Sequence, residues 1–206
     1  SRKKVVIFLL FFVPLFLTGT VLFFQDSFFP FYGVENYTII HFILELVCIV
    51  ISFLIAFQAY RGVGIYAGAT FLSVGLLDLF HALTFVGMPR FFAESTMHIS
   101  VWFWVVARMT QGIGLCALLL AHENEKLAKK LVPERRFLIY LFSFVYSLSI
   151  IVLIYTYSSK LPILFVNGVG PTIIHQGIEY GLIVVYAVTF GLLIRRTKLS
   201  DEFSFS

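Results

Sequence analysis

Residues 62–86 read GVGIYAGATFLSVGLLDLFHALTFV. The run is long enough to cross a bilayer as a helix, for which about 20 predominantly apolar residues suffice. It carries two ionisable side chains, Asp78 and His81, three positions apart and therefore on one helical face. A carboxylate and an imidazole are costly in hydrocarbon, so that face turns toward protein. The segment reads as a membrane helix with one face inside a bundle.

The rest of the 206-residue chain agrees. Hydrophobic residues make up 60% of it and charged residues 13%, and Phe alone supplies 25 side chains; the mean hydropathy is +0.96. An ordinary soluble domain has about 25% charged residues, and its surface must be wetted by polar groups. A soluble enzyme, a disordered chain and a nucleic-acid-binding domain are excluded, and lipid bilayer must be a partner. Five more runs match residues 62–86: Val5–Phe24, Thr38–Tyr60, Ser100–Ala121, Phe137–Tyr157 and Pro171–Ile194. The first lacks an A-x-A-like cleavage site and reads as a retained helix. The fold class is thus all-α, a polytopic bundle of six transmembrane helices. Residues 1–196 form one membrane domain, and 197–206 a polar cytoplasmic tail.

The net charge is +4 and the pI about 9.1, but placement matters more than the sum. Arg2, Lys3, Lys4, Arg61, Lys126, Lys129, Lys130, Arg135, Arg136, Arg195, Arg196 and Lys198 all fall on one side of a six-helix layout, which is 12 of the 15 basic residues. The other side holds Arg90 and Lys160, and Arg108 sits inside a span. The positive-inside rule puts both termini in the cytoplasm. Residues 25–37, 87–99 and 158–170 become outer loops, 122–136 a cytoplasmic hinge, and Pro171 a helix start that loses no hydrogen bond. Cys48 and Cys116, both in apolar runs, read as small hydrophobes. His98 reads as a solvated loop residue, His122 as interfacial, and Trp102 and Trp104 as interfacial belt residues. Gly62, Gly64, Gly68, Gly75, Gly112 and Gly114 permit close helix approach.

The ionisable groups inside the spans are the candidate site. At about 1.5 Å per residue, His41, His81 and His175 lie roughly 5–8 Å below the outer boundary, and Glu45, Asp78, Arg108 and Glu179 roughly 10–12 Å. His41/Glu45 and His175/Glu179 are i,i+4 pairs and Asp78/His81 an i,i+3 pair. Three helices each offer one imidazole and one carboxylate, and Arg108 on a fourth can neutralise an acid. No comparable ionisable layer occupies the inner half. Three readings stand side by side. The groups are a structural lock of salt bridges. Alternatively they hold a metal ion (zinc, iron or copper) with His41, His81, His175, Glu45, Asp78 and Glu179 as ligands or orienters, or a haem b between two imidazoles, which leaves the acids without a role. Or the pocket takes a small polar or amphipathic ligand from outside.

His41-Phe42-Ile43-Leu44-Glu45, the stretch Leu77–Met88 with its D-x-x-H-(x)5-G-M pattern, and Trp102 to Arg108 resemble the MASE3-type membrane-associated sensor domain, from the first helix to the cytoplasmic arginines. The resemblance implies a bacterial inner-membrane input module of a histidine kinase, diguanylate cyclase or phosphodiesterase, fused to a cytoplasmic effector and signalling as a homodimer. It also implies a chain that is not itself an enzyme, excised from or shorter than its parent. The expected function is ligand or metal sensing at His41, Glu45, Asp78, His81, Arg108, His175 and Glu179, relayed by a shift of the last helix. Rival readings are a haem-b redox carrier or sensor, an intramembrane zinc hydrolase in which a free carboxylate acts as base, and a transporter, for which broken-helix signals are missing.

Overall fold

The computed structural model describes residue 16 and residues 34–62, 64–90, 95–123, 135–166 and 168–203. Five helices here are long and apolar enough to cross a membrane. They are α1 (Val34–Arg61), α2 (Ile65–Thr84), α3 (Met97–Glu123), α4 (Arg136–Tyr157) and α5 (Ile173–Phe203). The sixth expected span, Val5–Phe24, lies outside the described residues, as do loop 25–33 and most of the 122–136 hinge. The chain divides into two compact units, Ser1–Ile43 and Leu44–Ser206. The following concerns the second unit unless stated.

Helix ends depart from the expected boundaries for local reasons. Gly64, at φ 88°, holds a left-handed conformation open to glycine, so α2 begins at Ile65 rather than Gly62. Met97 opens α3 one turn before Ser100. Pro171 is not a helix start: it pairs with Phe165 in a two-residue antiparallel hairpin, Phe165–Val166 (β1) against Gly170–Pro171 (β2). The helix start falls instead to Thr172, whose Oγ1 accepts from the His175 amide at 3.4 Å while its hydroxyl donates to Ile163 O at 3.0 Å. Ser158–Lys160 forms a 3₁₀ turn in the stretch expected to be plain loop. Beyond the apolar span, which ends at Arg195, α5 stays helical to Phe203, through most of the expected tail.

Helix α2 is the most enclosed, with α1, α3 and α4 against it. Its run of small residues explains this. A Cβ on Gly75 would stand 3.2 Å from Ser52, and one on Gly114 of α3 would stand 2.8 Å from Thr70, so both glycines mark close helix approach. One apolar cluster joins Leu77 of α2 and Phe103 and Ala107 of α3 to Ile151 and Ile154 of α4. Another joins Val101 and Val105 of α3 to Leu164 and Ile178, so α5 packs on the opposite side of α3. Apolar burial does not drive helices together in lipid, so close packing and polar bonds must hold them. A hydroxyl layer does this at mid-depth. Ser73 and Ser143 are 2.7 Å apart, and Ser143 donates to Ala69 O at 2.6 Å. Tyr140 donates to Ala56 O at 2.5 Å. Val47 and Leu54 of α1, Phe142 and Val152 of α4, and Ile183 and Val184 of α5 are exposed, as side chains facing hydrocarbon should be. Arg136 donates to Tyr60 O at 2.7 Å, which fixes the end of α1 beside the start of α4 and defines one arginine-bearing end of the bundle.

Candidate functional site

The site is organised by α3. Ser100, Trp104, Arg108 and Gln111 follow one another at intervals of four, four and three residues, which aligns them in one stripe along the helix. Each meets a polar or aromatic partner on another helix.

At the loop-proximal end of the stripe, Ser100 and His81 of α2 are mutually bound. The Ser100 hydroxyl donates to His81 O at 3.1 Å, and His81 Nδ1 lies 2.8 Å from Ser100 O and 2.9 Å from its Oγ. A carbonyl oxygen can only accept, so Nδ1 carries the proton. The other ring nitrogen, Nε2, stands 3.9 Å from Glu45 Oε1 of α1. Both His81 and Ser100 are buried.

Two turns further along, Arg108 forms an ion pair through Nη2 with Asp78 Oδ2 of α2. Asp78 is 1% exposed, and its Oδ1 has no hydrogen-bond partner among the described residues. Arg108 Nη1 donates to Gln111 Oε1 at 2.9 Å. Tyr186 of α5 donates both to Arg108 O and to Gln111 Oε1, each at 3.1 Å. Asp78, Arg108, Gln111 and Tyr186 therefore form one polar chain from α2 through α3 to α5.

His175, at the start of α5, packs edge-on against Trp104, with ring centroids 6.1 Å apart. It is 7% exposed, and neither ring nitrogen has a hydrogen-bond partner among the described residues. Its Nε2 is 3.5 Å from Glu179 Oε1, one turn along the same helix.

The pairing thus differs from the within-helix couples of the sequence reading. Only His175 and Glu179 pair along their own helix. Asp78 pairs with Arg108, and His81 with Ser100 and Glu45. His81 and His175 meet the stripe at Ser100 and Trp104, one turn apart on α3. His41 lies one turn before Glu45 on α1, half-buried, in the first compact unit, and is placed here by its helix alone.

Several side chains expected at the periphery are half-buried and make specific contacts. The Trp102 indole donates to Pro162 O at 3.1 Å, and Trp104 is half-buried against His175. His98 sits in the first turn of α3 with Nε2 2.9 Å from Ser158 O, and so ties α3 to the 3₁₀ turn rather than being solvated. Gly62 meets only its own helix and Gly64 meets nothing, so close approach belongs to Gly68, Gly75, Gly112 and Gly114. Cys48 and Cys116 are free thiols. Sequence reasoning missed Ser100, Gln111, Tyr186 and the Ser73–Ser143 layer, because it counted ionisable groups and these are neutral. Periodicity held the signal for Tyr186: it follows His175 and Glu179 at i+11 and i+7, on the same face of α5.

A family model described as a membrane-associated sensor domain, MASE3, matches residues 32–206. The match begins after the first apolar run, so Val5–Phe24, which the resemblance takes in, is not part of it. No curated protein and no solved structure matches the chain. A family match over most of the sequence, on five membrane-length helices with a buried polar stripe, leads to one conclusion: this chain belongs to the MASE3 family of membrane-associated sensor domains and is a multi-pass membrane protein.

Proposed function

We propose that this sensory domain reads its stimulus at the stripe of α3 and passes it on through α5. The observation that supports the reading is the polar chain Asp78–Arg108–Gln111–Tyr186. Arg108 is the neutralising partner of a buried carboxylate and also the anchor of the last helix. A small polar ligand that competes for Arg108 or Asp78 would alter both, and Glu45, His81, His175 and Glu179 supply further donors and acceptors around it. A ligand shifts the balance only as far as it binds one arrangement better than the other. A slide or rotation of α5 by about 1–2 Å is a sufficient output. The helical extension to Phe203 would carry it to a cytoplasmic effector of the kinase or cyclase type, in a dimer at a bacterial inner membrane with the basic helix ends inside.

A second reading, a divalent metal such as zinc, iron or copper, rests on a separate observation. The proton on His81 Nδ1 leaves Nε2 as the ligating nitrogen, turned toward Glu45, an imidazole–carboxylate combination suited to metals.

The test is a fusion of this chain to its own downstream domain, assayed for output in cells against membrane-inserted protein level. Arg108→Gln and Tyr186→Phe should lock or bias the output, whereas Val152→Ala, on the lipid-facing side of α4, should not. Normal responses from Arg108→Gln and Tyr186→Phe chains that insert normally would refute the relay. Elemental analysis of the purified chain and of Glu45→Gln and His81→Ala variants decides the metal reading: stoichiometric metal lost in both variants supports it, and none in the parent removes it.

A further inference from the structure

We propose that the bundle holds one acyl chain of an anionic phospholipid in a slot between α2, α3 and α4, with its headgroup at Arg135. The slot has a volume of about 910 Å³ and lies toward the arginine end, away from the stripe that binds His81 and His175. It exists because α3 and α4 each pack on α2 there but diverge from one another. On its α3 side Gly114, Ala117 and Ala121 leave space, and Leu138, Ile139 and Phe142 of α4 face them across it.

Three observations select the occupant. The first is length. Arg135 to Tyr146 spans 11 helical residues, about 16 Å, which matches half of the ~30 Å hydrocarbon core and hence one leaflet's chain. The second is the hydrogen-bond inventory at the deep end. Thr110 donates to Val106 O at 2.7 Å, so the 2.9 Å contact with Tyr146 uses the Tyr146 proton. Ser143 donates to Ala69 O at 2.6 Å, and Ser73 donates to Ser143. Every one of these four hydroxyl protons is committed, and only acceptor lone pairs remain. A carbonyl-bearing guest such as a quinone would find no donor there, whereas an alkyl terminus needs none. The third is charge. Arg135, exposed at the start of α4, lines the slot's mouth. Its neighbours are otherwise engaged: Arg136 donates to Tyr60 O, and Arg61 lies over the Phe57 ring at 4.5 Å. The acids among the described side chains, Glu45, Asp78 and Glu179, all belong to the stripe region and none lines the slot. A phosphate at the slot's mouth is therefore attracted by the Arg135 guanidinium, and no described carboxylate lines the slot to oppose it.

The experiment uses the full chain in detergent, incubated with phosphatidylglycerol or phosphatidylcholine of identical acyl chains and read by native mass spectrometry for retained lipid. The parent should retain phosphatidylglycerol about fivefold better than phosphatidylcholine. Arg135→Gln should remove that preference while leaving the fold intact, because the side chain is exposed. Ala117→Trp should lower retention of both lipids by filling the slot, with Leu138→Trp as a second filler if the first misfolds. Equal retention of the two lipids by the parent, a preference that survives Arg135→Gln, retention undiminished in the filled variants, or a co-purifying quinone in place of lipid would each overturn the assignment.

Discussion

Replacing Arg108 with Gln is the most informative single perturbation of this protein. The substitution keeps a hydrogen-bonding group and removes the cation that faces Asp78. Asp78 is 1% exposed and its second oxygen already lacks a partner among the described residues, so no described neighbour stands ready to replace the guanidinium. Breaking a buried ion pair from one side typically costs about 3–5 kcal/mol. Arg108→Gln should also weaken the hold on Gln111, which adds about 0.5–1.5 kcal/mol. For a chain of this size a loss of ~3–5 kcal/mol corresponds to a fall in unfolding temperature of about 6–20 °C. Asp78→Asn should cost less, because the guanidinium it strands is only partly buried and keeps Gln111. The decisive variant is Asp78→Asn with Arg108→Gln, which removes both charges. If the two depend on one another, the double variant should be more stable than the sum of the singles predicts by at least ~1.5 kcal/mol. The assay is thermal or denaturant unfolding in detergent, followed by circular dichroism, on all four proteins. Single effects that add within about 0.5 kcal/mol would show that the two residues do not pair in the membrane and would refute the reasoning.

Other perturbations should behave as follows. Ser100→Ala removes one of the two acceptors at His81 Nδ1 and the donor to His81 O, and should lower stability by about 1–2 kcal/mol in the same unfolding assay. Tyr186→Phe should cost about 0.5–1.5 kcal/mol and loosen α5 specifically, seen as faster amide exchange on residues 175–190 than on α2. Gly114→Ala places a methyl 2.8 Å from Thr70 Cγ2 and should cost about 1–3 kcal/mol, whereas Gly177→Ala, with nothing within 4 Å, should be neutral or stabilising by up to ~1 kcal/mol. A reversed order between these two glycine variants would contradict the helix packing described here.

Much of this architecture was legible in the amino-acid order. The five apolar runs that fall among the described residues are helices, because hydrocarbon tolerates a spanning backbone only when its hydrogen bonds are satisfied internally. That Asp78, His81, Arg108 and His175 would turn inward was equally legible, since charge and imidazole are costly against lipid. The short-range spacing correctly placed His175 beside Glu179, for which only helical geometry is needed.

What the order of residues did not contain was the pairing between helices. Asp78 could have faced any cation and His81 any acceptor. It is the close seating of α2 on α3, allowed by Gly114, that gives Asp78 to Arg108 and His81 to Ser100. The neutral members of the network, Gln111, Tyr186 and the Ser73–Ser143 layer, carry no hydropathy signal strong enough to stand out from an apolar run. Their role comes from partners far along the chain. The slot near Arg135 has the same origin, since a space between helices is a property of how they diverge and of no single residue. Sequence therefore determined which segments enter the membrane and which groups must be hidden there. Tertiary structure decided who partners whom, because in lipid that choice depends on close packing and hydrogen-bond geometry rather than on polarity alone.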